Sequence, residues 1–231
     1  MARSITRPNI MPITAPSKRT SAAARAVNAL ALAALGGALI FTISVVRDES
    51  RVVRMRDASI RQAAGLATSD DLRVLDPSTS RTEPLPARAA LLRGVMRARE
   101  ASSDPAHARV LLVEARRDVA QALATRPIWG EAEVARAYVE LLDHGPESPQ
   151  AIAALAASYR AAPFLRDSAP WRIRFGVAVW PRLDAQTQDR LVSETAWLAE
   201  ASGRTYAYAL GLVAGSPAEP LVRSRLSSSS S

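Results

Sequence analysis

Hydrophobic positions follow two different patterns along this chain. Residues 26–46 form an uninterrupted apolar run of 21 residues that carries no charge, and Asn28 is its most polar member. From residue 87 onward, apolar residues recur at helical spacing in short runs that Pro and Gly interrupt. Ile152, Leu155 and Tyr159, for example, fall on one helical face. The pattern predicts an all-α protein in which one transmembrane helix precedes an array of short amphipathic helices.

The apolar run has the length of a membrane span, about 31 Å as a helix. It is too long for the apolar region of a cleaved signal peptide, and no small-x-small site follows it, so an uncleaved signal anchor is predicted. Residues 1–25 carry five cations and no acid. This bias favours a cytoplasmic N-terminus and a periplasmic C-terminal domain, in a bacterial inner membrane. Small residues every four positions predict self-association of the span, and hence a possible homo-oligomer: Ala29, Ala33 and Gly37.

Five segments are predicted along the chain. They are a disordered basic tail (1–25), the transmembrane helix (26–46), a juxtamembrane helix with a Pro-containing linker (47–86), a helical-repeat domain (87–202), and a short helix with a disordered Ser-rich tail (203–231).

Helix starts within the repeat domain are predicted at Asp104-Pro105, at Ser148-Pro149 and at Asp184, because Asp or Ser at an N-cap accepts hydrogen bonds from the first turn. Residues 171–180 alternate as a strand would and also fit a helix. A lone strand would lack a partner for its backbone, so a helix is predicted there.

Two helices share one internal spacing pattern. Small and apolar residues with a closing Pro stand at offsets of 4, 3 and 5, first in Ala115, Val119, Ala122 and Pro127, then in Ala151, Leu155, Ser158 and Pro163. This spacing resembles the second helix of a tetratricopeptide repeat, which implies a degenerate array of helical hairpins. The match is partial, because Glu131 stands where that family has Trp. The alternative is a generic Ala-rich helical bundle.

Residues 127–200 also resemble small helical-repeat proteins found with exopolysaccharide or O-antigen biosynthesis systems in alphaproteobacteria. The resemblance implies an assembly, scaffold or regulatory role beside envelope polysaccharide enzymes and no activity of its own. The residues that carry it are Pro127, Trp129, Tyr159, Pro163, Trp171, Arg172, Phe175, Trp180, Leu183, Glu194 and Trp197.

Composition narrows the candidate chemistry. The chain has no Cys and two His, and it contains no nucleotide-binding, nucleophile-elbow or zinc-protease motif. We therefore expect neither an enzyme nor a cofactor or metal site. The net charge of +8 lies in the first half of the chain, whereas 10 of the 11 aromatic residues lie in 129–208. Nucleic acid is therefore not an expected partner.

The aromatic residues of the second half, with two arginines, are the candidate partner-binding set. A scaffold would use them in a groove that binds membrane or envelope proteins, while the N-terminal helix contacts lipid. Core packing is the plain alternative. A carbohydrate-binding module with exposed Trp rings, or an enzyme with an unrecognised site, is the functional alternative. The set comprises Trp129, Tyr138, Tyr159, Trp171, Arg172, Arg174, Trp180 and Trp197.

Overall fold

A computed structural model describes residues 22–73 and 85–229. Every regular element within these ranges is helical, and no strand occurs there, which confirms the all-α prediction. The predicted N-terminal tail up to residue 21, residues 74–84 of the predicted linker and the last two serines lie outside the described residues.

The helices are α1 (Ala22–Ala63), α2 (Ser69–Arg73), α3 (Ala87–Ser103), α4 (Ala108–Thr125), α5 (Gly130–His144), α6 (Pro149–Ala161), α7 (Ala169–Ala178), α8 (Ala185–Glu200), α9 (Gly203–Val213) and α10 (Ala218–Ser229), with a 3₁₀ turn at Trp180–Arg182. The chain divides into two compact units between Arg47 and Asp48.

The first unit contains the apolar part of α1. Within the described residues, Ala29–Ala63 is the one helix segment long and apolar enough to cross a membrane, and its most apolar 18-residue window has a mean hydropathy of 2.3. None of that window is buried inside the protein. The predicted span at 26–46 falls inside α1.

The second unit begins with the last turns of α1. Met55 and Ala58 are buried against Met96 of α3. The Gln62 side-chain amide donates to the Met96 carbonyl oxygen at 3.0 Å, and Arg99 donates to the Ser59 carbonyl at 3.1 Å. The end of the predicted juxtamembrane segment therefore packs against α3 and belongs to the same compact unit, whereas the sequence predicted a helical-repeat domain that begins at residue 87. Met55 and Ala58 of α1 are buried because α3 packs against them.

From α3 onward, two consecutive helix pairs pack most extensively, α3 with α4 and α5 with α6, whereas α8 packs more extensively on α9 than on α7. Gly94 permits the close approach of the first pair, because a Cβ there would stand 3.1 Å from the Ala115 carbonyl oxygen and 3.0 Å from Val119. Small side chains fill the other contact lines as well, and Ala137, Ala151 and Ala154 are completely buried.

Two of the predicted helix starts are confirmed. The Ser148 hydroxyl accepts from the Ala151 amide at 3.3 Å, and the Asp184 carboxylate accepts from the Thr187 amide at 2.6 Å. The start at Asp104 is wrong. That side chain accepts from the amide only two residues on, closing a turn, and α4 begins at Ala108. The ambiguous segment 171–180 is helical up to Ala178 as part of α7, so the helix prediction holds for these residues.

The predicted disordered end after α9 is also wrong over most of its length. Residues Ala218–Ser229 form α10, in which Val222 is fully buried and Leu226 nearly so. Arg225 pairs with Asp189 of α8 at 2.6 Å. A short, Ser-rich helix has little intrinsic stability, and its apolar residues become ordered because α8 and α9 offer them a face.

Candidate partner-binding surface

The tryptophans of the candidate set lie in or against the core. Trp129 and Trp180 are buried, at 7% and 8% exposure. Trp171 is half-buried between Tyr138, whose ring meets it edge-on at 5.9 Å, and Phe175, at 5.3 Å. These rings join the packing of α5 to α7.

Trp197 is half-buried on α8 and packs at 5.3 Å against Phe164, which is 47% exposed. Phe164 is not in the candidate set predicted from the sequence, because an isolated Phe in a loop gives no periodic signal. Arg174 is exposed on α7. A partner can therefore reach Arg174 and the open edge of Trp197 from the candidate set, together with Phe164 outside it, without rearrangement.

Arg172 and Tyr159 belong to a closed interior cluster. The Arg172 side chain is fully buried and pairs with the fully buried Glu194 through two nitrogens. Its remaining donors reach the carbonyl oxygens of Ala162 at 2.8 Å and Pro163 at 3.0 Å. Its guanidinium lies 4.1 Å from the centre of the Tyr159 ring. The guanidinium and the carboxylate are thus engaged within the protein, whereas the buried Tyr159 hydroxyl has no hydrogen-bond partner among the described residues.

Burial dominates the electrostatics of this cluster. Desolvation raises the pKa of Tyr159 well above its usual value, and the negative charge of Glu194 adds to that effect. Glu194 also accepts from the Leu165 amide at 3.0 Å. The cluster therefore ties the α6–α7 loop to α8, with Tyr159 kept as a neutral phenol, and its chemistry is structural.

An open apolar groove of about 470 Å³ lies between α4 and α5. Outward-facing Ala120 and Ala124 and half-buried Leu123 form its α4 wall, and Val139 contributes from α5. The sequence pattern gave no sign of this groove, because an exposed Ala that lines a groove does not differ in pattern from an exposed Ala in solvent.

Charged residues at the groove margin are neutralised within the protein. Arg116 pairs with Glu140 at 2.9 Å and with Asp143 at 2.6 Å, and these carboxylates raise its pKa. Arg136 pairs with Glu133 at 2.7 Å. A margin of compensated charges around an apolar floor favours apolar side chains of a protein over a polyanion.

A second open groove of about 470 Å³ lies between α6 and the start of α8, and it is more charged. Arg160, Asp184 and the Arg182–Glu147 pair line it, beside Ile152. Asp184 already caps α8 through its bond to the Thr187 amide, so its carboxylate is committed to the helix.

The described residues were the place to look for metal ligands and for acid–base groups such as His. No group of three or more His, Asp or Glu side chains there could hold a metal ion. His107 lies against Asp104 at 2.7 Å and His144 against Glu140 at 3.2 Å, both near helix ends at the surface. No protein family, no curated protein and no solved structure matches this chain.

Proposed function

We propose that the chain is a single-pass, membrane-anchored scaffold whose helical unit binds other membrane or envelope proteins of a polysaccharide biosynthesis or export system. The single observation that carries the binding role is the α4–α5 groove, with its apolar floor and internally paired charges. Such a surface suits a partner helix that inserts two or three apolar side chains.

The proposed location is a bacterial inner membrane, with a cytoplasmic N-terminus and a periplasmic helical unit. The long apolar α1 supports an anchor, and the cations before it favour this orientation. Lipid is then a partner of α1, and self-association along Ala29, Ala33 and Gly37 is part of the proposal.

A degenerate tetratricopeptide-like arrangement is the proposed architecture of the binding unit. The consecutive packing of α3 with α4 and of α5 with α6 supports it, as do the fully buried Ala115 and Ala151 at equivalent offsets. In such arrays the partner lies against a surface formed by several hairpins. The proposed role is binding, with no catalysis and no cofactor.

Co-purification from membranes in mild detergent tests this function. Ala120→Arg places a charge on the groove wall, and Ala207→Arg on α9 is the matched control, since both alanines are exposed. We expect the groove variant to lose associated envelope proteins by about tenfold, equivalent to about 1.4 kcal/mol. The control retains them, and thermal unfolding is unchanged in both.

Recovery of only ribosomal or cytosolic metabolic proteins would overturn the envelope assignment. Equal recovery of envelope partners by both variants would move the binding surface away from the groove. An alkaline phosphatase fused after Ser231 tests the orientation, since it should be active only if the C-terminus is exported.

A further inference from the structure

The outer face of α4 carries an exposed apolar stripe. Four of its residues fall within an arc of about 80° around the helix and extend over about 21 Å. They are Val110, Val113, Ala120 and Ala124, with Val110 at 58% and Val113 at 48% exposure. The two alanines also line the α4–α5 groove. The apolar surface of the groove therefore continues along α4 to its first turn.

Two cations stand at the ends of this stripe. Arg109 and Arg126 are exposed, and neither has a carboxylate partner among the described residues. Arg126 lies 5.1 Å from the centre of the Trp129 ring, so its guanidinium is held near the end of the helix. Arg117 lies within the arc of the stripe and pairs with Glu114 at 2.7 Å.

The carboxylates near the stripe are already paired with cations of the same unit. Glu131, an exposed carboxylate of the first turn of α5, falls about 140° around that helix from the groove residue Arg136 and so lies on another side. The stripe therefore has an excess of positive charge at both ends. The pairs are Asp104 with His107, Glu114 with Arg117, Glu133 with Arg136, and both Glu140 and Asp143 with Arg116.

A second copy of α4 does not fit this stripe. In a parallel pair, Arg109 would face Arg109 and Arg126 would face Arg126. In an antiparallel pair, Arg109 would face Arg126, and the two copies of Arg117 would meet near the middle. Like charges placed opposite each other are unfavourable, so the charges of the stripe disfavour self-pairing.

We propose that the stripe binds an amphipathic helix of an associated membrane or envelope protein, with an acidic residue near each end of its apolar face. Such a helix presents apolar side chains every three or four residues, and about 14 residues match the length of the stripe. Its acidic residues pair with Arg109 and Arg126. This inference rests on the proposed scaffold function and specifies the chemistry of the partner.

A lipid surface or a polyanion fits the stripe less well. Helices that lie on membranes carry Trp, Phe or Leu on one face and many Lys or Arg on the other. Here the two end cations are about 25 Å apart along the helix, with Val, Ala and the paired Arg117 between them. A polyanion gains affinity from each cation that it meets, and this spacing offers few.

Photo-cross-linking of the full chain in native membranes tests the proposal. Val110 and Ala124 are replaced, one at a time, by p-benzoylphenylalanine, and the exposed Ala207 on α9 is the control position. Mass spectrometry identifies the residue that each probe captures. We expect both stripe probes to capture one helix of one protein, at sites about 14 residues apart, with Asp or Glu near each site.

Charge reversal tests the acidic ends of the partner. Arg109→Glu combined with Arg126→Glu should lower the cross-linking yield by about tenfold, and Arg109→Glu alone should lower it less. Arg174→Glu on α7 reverses another exposed arginine and is the matched control, for which we expect no change. Reversal of the captured acids to Lys should restore the yield of the double variant.

Salt gives an independent measure of the same pairs. Raising the salt concentration from about 0.1 M to about 1 M screens exposed charges. The yield of the wild-type chain should therefore fall, whereas that of the double variant should not.

Capture of a second copy, of lipid alone or of a segment without acidic residues overturns the acidic helix. A yield no higher than that of the Ala207 position, or one that charge reversal does not change, also overturns it. The Ala120→Arg variant separates this failure from that of the scaffold. If Ala120→Arg loses envelope proteins and the double arginine variant retains them, the acidic helix alone is wrong. If neither variant loses them, the binding role of the groove is wrong as well.

Discussion

Helices α3 and α4 bury arginine against a carboxylate between them, and so do α7 and α8. The two clusters differ in the number of arginines that pair with the central carboxylate. In the first, Arg93 and Arg97 both bind Asp118, each with a shortest N–O distance of 2.6 Å. In the second, Arg172 is the one cation that pairs with Glu194 among the described residues, and it also donates to three backbone carbonyl oxygens. The first cluster has two cations for its central carboxylate, and the second has one.

Removing one member of a buried pair costs more than the pair contributes, because the remaining charge stays without compensation. Asp118 keeps a partner when either arginine is lost, whereas within residues 22–73 and 85–229 Glu194 has no salt-bridge partner besides Arg172. The exposed fraction of a buried charge therefore does not by itself indicate how much stability is lost when its partner is removed. What matters is how many partners remain and whether backbone groups depend on the same side chain.

The largest expected effect is that of Arg172→Ala. We expect the free energy of unfolding to fall by about 3–5 kcal/mol, since Glu194 is left buried and unpaired. Urea or thermal unfolding of the full chain in mild detergent, followed by circular dichroism, measures the loss. The double variant Arg172→Met with Glu194→Leu removes both charges and should recover much of it. A loss no greater than that of the double variant would contradict the account of this pair.

Gly94→Ala tests the geometry of the first pair. The new methyl group would stand 3.0 Å from Val119, 3.1 Å from the Ala115 carbonyl and 3.3 Å from Cβ of Asp118. Because backbone lies on one side, α3 and α4 must separate, and we expect a loss of about 1–3 kcal/mol. Gly211→Ala on α9, where a Cβ meets nothing within 4 Å, is the matched control and should be neutral or slightly stabilising. If both variants changed the free energy of unfolding equally, the close approach of α3 and α4 at Gly94 would not explain the effect.

Arg93→Ala should cost less, about 1 kcal/mol, because Arg97 still binds Asp118. Burial is the main cause that lowers the pKa of Arg97, and the like charge of Arg93 lowers it further. The loss of Arg93 removes this second contribution. The same unfolding measurement checks this value. If the free energy of unfolding fell as much as it does in Arg172→Ala, the second arginine would not protect the α3–α4 cluster, and the stated difference between the clusters would be contradicted.

Asp184→Ala measures the contribution of the α8 N-cap to stability separately from that of the Arg172–Glu194 pair on the same helix. We expect a loss of about 1 kcal/mol at pH 7. Hydrogen bonds from the Thr187 amide and hydroxyl hold the pKa of Asp184 below its ordinary value near 3.8. A lowered folded-state pKa means that the contribution is complete above the unfolded-state pKa and decreases as pH falls through the folded-state value. The difference between wild type and variant should therefore be constant from pH 7 to 5 and shrink below about pH 4. A difference that is independent of pH would contradict this origin.

Features that depend on neighbours along the chain could be predicted without coordinates. Apolar runs, Pro positions and the Ser148 and Asp184 caps all act within one helical turn or one span, so they predicted the all-α class, the apolar N-terminal helix and most helix starts. The Asp104 start failed because two local hydrogen-bonding options, a cap and a tight turn, use the same side chain.

The α10 helix, the location of Arg172 and the α4–α5 groove depend on residues far apart in sequence. Arg172 and Glu194 are separated by 22 positions, and nothing near either one distinguishes a solvated charge from a buried pair. Leu226 is ordered by its place in a shared core, and Ala120 lines a groove because α5 lies beside it. Such contacts arise only when helices pack, because burial is a property of the assembled fold and not of the residue.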